Sequence, residues 1–106
     1  MIAMRVEQSD QELMEEAAGM LKAVAHPIRL AIVELLDSGA RRNVSEIFGM
    51  LGLEQAVVSH HLAILRDRGV LSQERDGKHM YYFLRHPRLT EIVSCVKDCC
   101  MLQVER

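Results

Sequence analysis

Three cysteines near the end of the chain, in the pattern Cys95-x-x-x-Cys99-Cys100, are the side chains with the most chemistry to offer. Thiolates are soft ligands that select soft metals and metalloids, and they are also open to oxidation. On a helix Cys95 and Cys99, at i and i+4, share a face, while Cys100 points about 100° away. All three meet one ion only if the last turn unwinds or a second chain contributes. No carboxylate or histidine set is spaced to join them, so the favoured effector is trivalent arsenic or antimony, ahead of cadmium or lead. An oxidant is the second choice, because thiols near a helix C-terminus face a dipole that disfavours thiolate, which Lys97 only partly offsets. Cysteine is equally a small apolar packing residue, and that reading stands beside the sensing one. No base is assignable near these thiols, so an enzyme is not expected.

A second constellation lies in residues 43–69, NVSEIFGMLGLEQAVVSHHLAILRDRG. Val44, Ile47, Phe48 and Leu51 fall at i, i+3, i+4 and i+7, and Asn43 with Glu46 has capping-box spacing. Gly52 ends this helix. In the next one Val58, Leu62 and Leu65 form a narrow buried stripe, opposite Gln55, Ala56, Ser59, His60 and Ala63. That opposite side is small and polar, without the Glu/Lys lattice of an ordinary solvated face. It suits close approach to a large flat partner, and the major groove of DNA is the candidate for a helix that follows such a turn. His61 turns toward Val57 and Ile64 and is expected to be a satisfied structural histidine. Adjacent histidines diverge by about 100° on a helix, so His60 and His61 cannot share one ion.

From Leu71 to Leu84 the apolar period changes to two, with Asp76-Gly77 as the hairpin turn. Arg75, Lys78 and His79 stand near its tip, where a charged side chain is either simply solvated or set against a phosphate backbone.

The run Leu53 to Leu65, its continuation Arg66 to Leu71 and the hairpin after it resemble the winged-helix repressors of the arsenic-repressor (ArsR/SmtB) family. The resemblance extends from about Leu21 to about Val96, and Val58-Ser59-His60-His61-Leu62 upstream of a wing is its most specific part. It implies a winged helix-turn-helix fold and double-stranded operator DNA as partner. Gln55, Ser59 and His60, with Ala56 on the same side, would then meet base edges or nearby phosphates, and Arg75 and Lys78 would serve from the wing. Two departures stand out. Glu54 occupies a place where Ser or Thr is usual, and an acid beside phosphates is unfavourable unless it caps the helix. The Cys-x-Cys that many relatives use for metal at the start of the first motif helix reads Asn43-Val44-Ser45 here, which leaves Cys95, Cys99 and Cys100 as the candidate metal ligands.

The elements that must position these residues are mainly α-helical. At 106 residues the chain makes one domain, and 49% apolar residues with only 4% aromatics suit helix packing. A net charge of −2 does not announce a nucleic-acid binder, but the charges are unevenly placed. Glu7, Asp10, Glu12, Glu15 and Glu16 crowd the N-terminus, whereas Arg66, Arg68, Arg75, Lys78, Arg85 and Arg88 gather around the second motif helix and the hairpin. Helix 9–24 is predicted from Ser9 and Glu12 in capping-box spacing and an apolar side of Leu13, Met14, Ala17, Met20, Leu21 and Val24. Pro27 opens a second helix, apolar nearly all round and therefore central, with His26 as a cap or packing residue in preference to a metal ligand. After the wing at 71–85, a last helix at 88–104 carries Leu89, Ile92, Val93, Val96 and Cys100 on one stripe. In so small a chain that stripe needs a partner, and a homodimer through the terminal helices would supply it while spacing two recognition helices by roughly 34 Å.

No apolar run reaches the roughly 18 residues of a membrane span, and no basic-then-apolar leader is evident, so a cytoplasmic protein without membrane contact is expected. The expected function is a dimeric DNA-binding repressor with no obligatory cofactor, released by a soft ion at the cysteines. The alternatives are a thiol-redox-responsive repressor using the same cysteines, and a winged-helix protein-interaction module that does not bind DNA.

Overall fold

Apolar spacing and capping chemistry account for nearly every element of the computed structural model, which describes residues 2–104, with side chains from 10 to 103. Helix α1 spans Ile2–Val24, longer than the 9–24 expected. Ser9 therefore sits within the helix, where backbone donors are already engaged, and Ser9 with Glu12 is not an N-terminal cap. The side chains of Glu7 and Ser9 lie outside the described residues. The inner face of α1 is also narrower than its apolar pattern: Ala23 is buried, Met20 and Val24 pack on the core, and Leu13, Met14 and Leu21 stay exposed.

Helix α2 (Pro27–Leu35) begins with proline at a position whose N–H would have no intrahelical partner. His26 is its cap, with Nδ1 accepting from the Ile28 N–H at 3.1 Å. Ile32, Val33 and Leu36 are fully buried, and α2 touches α1 and each helix that follows it. This is the central helix that its all-round apolar surface predicts. A short 3-10 turn, Asp37–Gly39, then stops it.

The next residues hold an element that periodicity did not reveal. Arg42–Asn43 form a two-residue strand, β1, and Asn43 at once caps helix α3 (Val44–Leu51). The capping box is complete: Asn43 Oδ1 accepts from the Glu46 N–H, and Glu46 Oε1 accepts from the Asn43 N–H, both at 2.8 Å. Ile47 is buried, with Val44, Phe48 and Leu51 packed around the core as their spacing requires. Gly52 ends α3 at φ 67°, a left-handed conformation that favours glycine.

Helix α4 (Gln55–Asp67) follows after a bend of 115°, inside the range of helix-turn-helix motifs. The chain then forms β2 (Leu71–Asp76) and β3 (His79–Leu84). Antiparallel pairing gives the order β1-β3-β2, so the expected hairpin is one part of a three-stranded sheet. Asp76 pairs with His79, which makes Gly77 and Lys78 the two loop residues and Asp76 the last strand residue. Gly77 has φ 66° and Lys78 does not share a positive φ, the pattern of a type II′ turn. Helix α5 (Leu89–Val104) runs back over α2, with Val93 buried in the core. Among the described residues no single helix is long and apolar enough to cross a membrane.

Candidate nucleic-acid interface

Helix α4 divides as its sequence predicts. Val58, Leu62 and Leu65 are completely or almost completely buried, whereas Gln55, Ala56, Ser59 and His60 are exposed. The buried stripe belongs to the same core as Ile32, Val33 and Ile47, so the helix is held by one face and offers the other. At roughly 25 cal/mol per Å² of apolar surface, each buried Leu or Val contributes about 1.5–3 kcal/mol to that hold. The offered face carries an amide, a hydroxyl and an imidazole with no carboxylate between them. These are the groups that pair with base edges and phosphate oxygens.

Glu54 stands at the N-cap position of α4 in extended conformation, and its side chain makes no capping hydrogen bond. The carboxylate is exposed at a helix N-terminus, where the dipole favours it. Only that charge effect compensates for an acid in this place.

The wing puts Arg75 opposite Met80 and Lys78 in the loop, both exposed. Neither joins an ion pair among the described residues. The other basic residues differ. Arg66 donates to Asp67 and Gln73, Arg88 pairs with Glu91, and Arg68 and Arg85 line a polar cleft with Glu12, Glu15, Glu16 and His86. The sequence therefore overstated the free basic edge, because the acids of α1 share a cleft with part of it. Arg75 and Lys78 remain as cations at the tip.

Contacts beyond the reach of sequence spacing fasten the wing to the body. Arg42 Nε donates to the Leu35 carbonyl at 2.9 Å, at the C-terminal end of α2, where a cation suits the helix dipole. Arg41 pairs with Glu74 and lies 4.3 Å from the centre of the Phe83 ring, a cation–π distance. A cluster of Arg41, Phe83 and Glu74 has no signature in a linear pattern, since it exists only once β1 is paired.

His61 is buried, but it is not the satisfied histidine expected: among the described residues its Nδ1 has no hydrogen-bond partner. Its ring lies 4.5 Å from that of His26 and 5.2 Å from that of His60, centre to centre. Burial, followed by the nearby His26, Arg29 and His60, pushes the His61 pKa below its ordinary 6.5.

At the far side of the molecule, α1, α2 and α5 enclose an apolar groove of about 660 Å³, lined by residues that include Met20, Leu21, Val24, Leu30, Ile92 and Val96. Lys97 on its rim donates to Glu34 Oε2 at 2.6 Å, and that partnership raises the Lys97 pKa. Cys95, Cys99 and Cys100 are free and exposed on α5. Of the expected stripe, Leu89, Ile92, Val93 and Val96 line the groove and Cys100 does not. Among the described residues, no three or more His, Cys, Asp or Glu side chains are grouped closely enough to hold a metal ion.

These features agree with comparisons to known proteins. Residues 26–73 match the family described as bacterial regulatory protein, arsR family. The chain is 32% identical to the HTH-type transcriptional regulator YgaV of Escherichia coli, over 79% of this chain and 85% of that protein. It is 39% identical to the transcriptional repressor PagR of Bacillus anthracis, over 76% and 81% of the two chains. The PagR crystal structure superposes with a TM-score of 0.74 at 36% identity, covering 82% of this chain and 99% of that one. The homodimeric winged helix-turn-helix DNA-binding domain of Mb0332 from Mycobacterium bovis gives a TM-score of 0.76 at 28% identity, covering 92% of each chain. These relatives are transcriptional regulators and not enzymes, and with both helices of its helix-turn-helix inside the matched segment, this chain belongs to the arsR family of bacterial regulatory proteins.

Proposed function

We propose that this protein is a homodimeric repressor that binds operator DNA through α4 and the wing and is released by a soft, thiol-binding ion at α5. The observation that carries the DNA reading is the two-sided α4: a fully buried apolar stripe, and opposite it an exposed, acid-free face of Gln55, Ala56, Ser59 and His60. Gln55, Ser59 and His60 read base edges, Ala56 allows close approach, and Arg75 and Lys78 fix the register through phosphates. A DNA partner is supported over a protein-interaction module by this face together with relatives described as repressors and as a DNA-binding domain.

Dimerisation is supported by the apolar groove and by the exposed Leu13, Met14, Leu21, Ile92, Val96, Met101 and Leu102 on α1 and α5. Apolar surface of this extent is costly to leave in water. A second copy would cover it by two-fold symmetry, and the similar Mb0332 domain is described as homodimeric.

For the effector, three thiols at Cys95, Cys99 and Cys100 favour trivalent arsenic or antimony over harder ions. Binding displaces the thiol protons, so the unfavourable helix dipole does not prevent it. The three sulfurs gather only if the last turns of α5 unwind or a second chain contributes. Either event acts on the helix proposed to hold the dimer. A coupling of about 1–3 kcal/mol, or about 5- to 150-fold in DNA affinity, makes a working switch.

The test is a salt-dependent DNA-binding titration on the chain's own promoter, repeated with arsenite under reducing conditions. Release of wild type at arsenite concentrations that leave Cys95→Ser/Cys99→Ser bound is the expected result. Equal binding to promoter and random DNA refutes the DNA reading, and equal release of both proteins refutes the cysteine site.

A further inference from the structure

The contact between His26 and His61 joins the start of the central helix to the middle of α4, and the chemistry of both rings depends on their being neutral. His26 Nδ1 accepts the Ile28 N–H, so that nitrogen carries no proton. Protonating the ring would remove the cap of α2. His61 is only 8% exposed, and among the described residues its buried Nδ1 has no hydrogen-bond partner. Protonating it would bury a charge with an unpaired donor, against its neighbours His26 and Arg29. Arg29 adds a second such atom, since its Nε is also buried without a partner among the described residues.

Among the described residues no anion acts on His61 to relieve this. The groups that act on His61 are His26 and Arg29 from α2 and His60 from its own helix, all cationic or able to become so. The acids on the other packed elements lie or pair elsewhere. Glu12, Glu15 and Glu16 of α1 line the cleft with Arg68 at the C-terminal end of α4, Glu46 of α3 closes the Asn43 box, and Glu74 of β2 pairs with Arg41.

We propose that His26 and His61 are a positioning pair for the recognition helix, holding α4 and the adjoining His60 in the DNA-binding pose only while both imidazoles are neutral. Acidification would charge one face of the α2–α4 contact and loosen the helix from the body. This rests on the reading of α4 as the helix that meets DNA. His60 acts in the opposite sense, because a protonated exposed imidazole attracts phosphate, so the two effects separate by mutation.

The experiment uses the full chain and a duplex selected from a random pool by the wild type at about pH 7.5, with unselected duplex as control. Fluorescence anisotropy at constant ionic strength is followed from about pH 7.5 down to about pH 5. Wild type should lose about tenfold or more in affinity for the selected duplex, within the usual range of coupling between two parts of a protein. His61→Gln should lose clearly less than wild type, and His60→Gln should fall more steeply than wild type. Wild-type affinity that is flat or rises, or a His61→Gln profile parallel to wild type, overturns the proposal. Absence of any selection at about pH 7.5 refutes the DNA reading instead. In that case, or if His61→Gln does not fold by circular dichroism, histidine-ring NMR of wild type decides. His61 titrating below 6.5 with the α4 amides shifting in step supports the pair, and α4 amides that ignore the His61 titration overturn it.

Discussion

Asn43 stands directly opposite Tyr81 in the β1–β3 register, while its side chain caps α3. The wing and the first helix of the DNA-binding motif therefore start from one residue. Any error in the cap is transmitted to the strand pairing, and the angle between wing and motif follows from a backbone with little freedom.

Asn43→Ala should lower stability by about 0.5–2 kcal/mol, the usual cost of losing an N-cap. Urea unfolding measures it. Because β1 shares the residue, Tyr81 and Tyr82 amides should also exchange faster with solvent. Loss of stability with unchanged exchange at those tyrosines would separate the cap from the strand.

Gln55→Ala and His60→Ala should each reduce preference for operator over random DNA by about 1–3 kcal/mol, whereas Lys78→Ala should weaken both alike and lower the salt slope by about one. Competition binding at several salt concentrations distinguishes the two patterns. A uniform loss from Gln55→Ala would make it a phosphate contact.

For assembly, Val96→Asp is a cleaner probe than Val93→Asp, since Val93 is only 4% exposed within its own chain and Val96 is 54% exposed. A carboxylate at position 96 should give folded monomers that bind DNA poorly, because an unpaired charge in an apolar interface is strongly unfavourable. Sedimentation velocity reads the outcome. An unchanged dimer would move the interface away from α5.

The lowered pKa of His61 makes a prediction about stability and pH. In the unfolded chain the imidazole takes up its proton near 6.5, while in the folded chain it does so only at lower pH. The unfolded state thus binds more protons as pH falls below 6.5, and stability declines from that point until the folded pKa is passed. Above 6.5 both states are neutral at this site and the stability is fully retained. Urea midpoints across this window should fall for wild type and fall less for His61→Gln.

Local pattern alone determined where most elements lie. Period 3.6 at Val44, Ile47, Phe48 and Leu51 and at Val58, Leu62 and Leu65, a proline at the start of α2 and Gly52 after α3 are short-range signals, set within one or two turns of chain. The sidedness of α4 was legible for the same reason, since a helix must bury its apolar stripe. The tertiary structure decided what depends on residues distant in sequence. Strand β1 is two residues long and has no period to detect; it exists because Tyr81 and Tyr82 of β3 pair with it. Ser9 had the spacing of a cap but lies inside a helix that starts earlier, and spacing cannot say which of several possible starts the chain takes. Arg68 and Arg85 counted toward a basic edge until α1 brought its acids against them. Periodicity put His61 on a flank with Val57 and Ile64; its burial, its Nδ1 without a partner among the described residues and its contact with His26 follow from packing α2 against α4. Helical periodicity assigns a side chain to a face, but only the opposing element decides whether a polar atom on that face finds a partner.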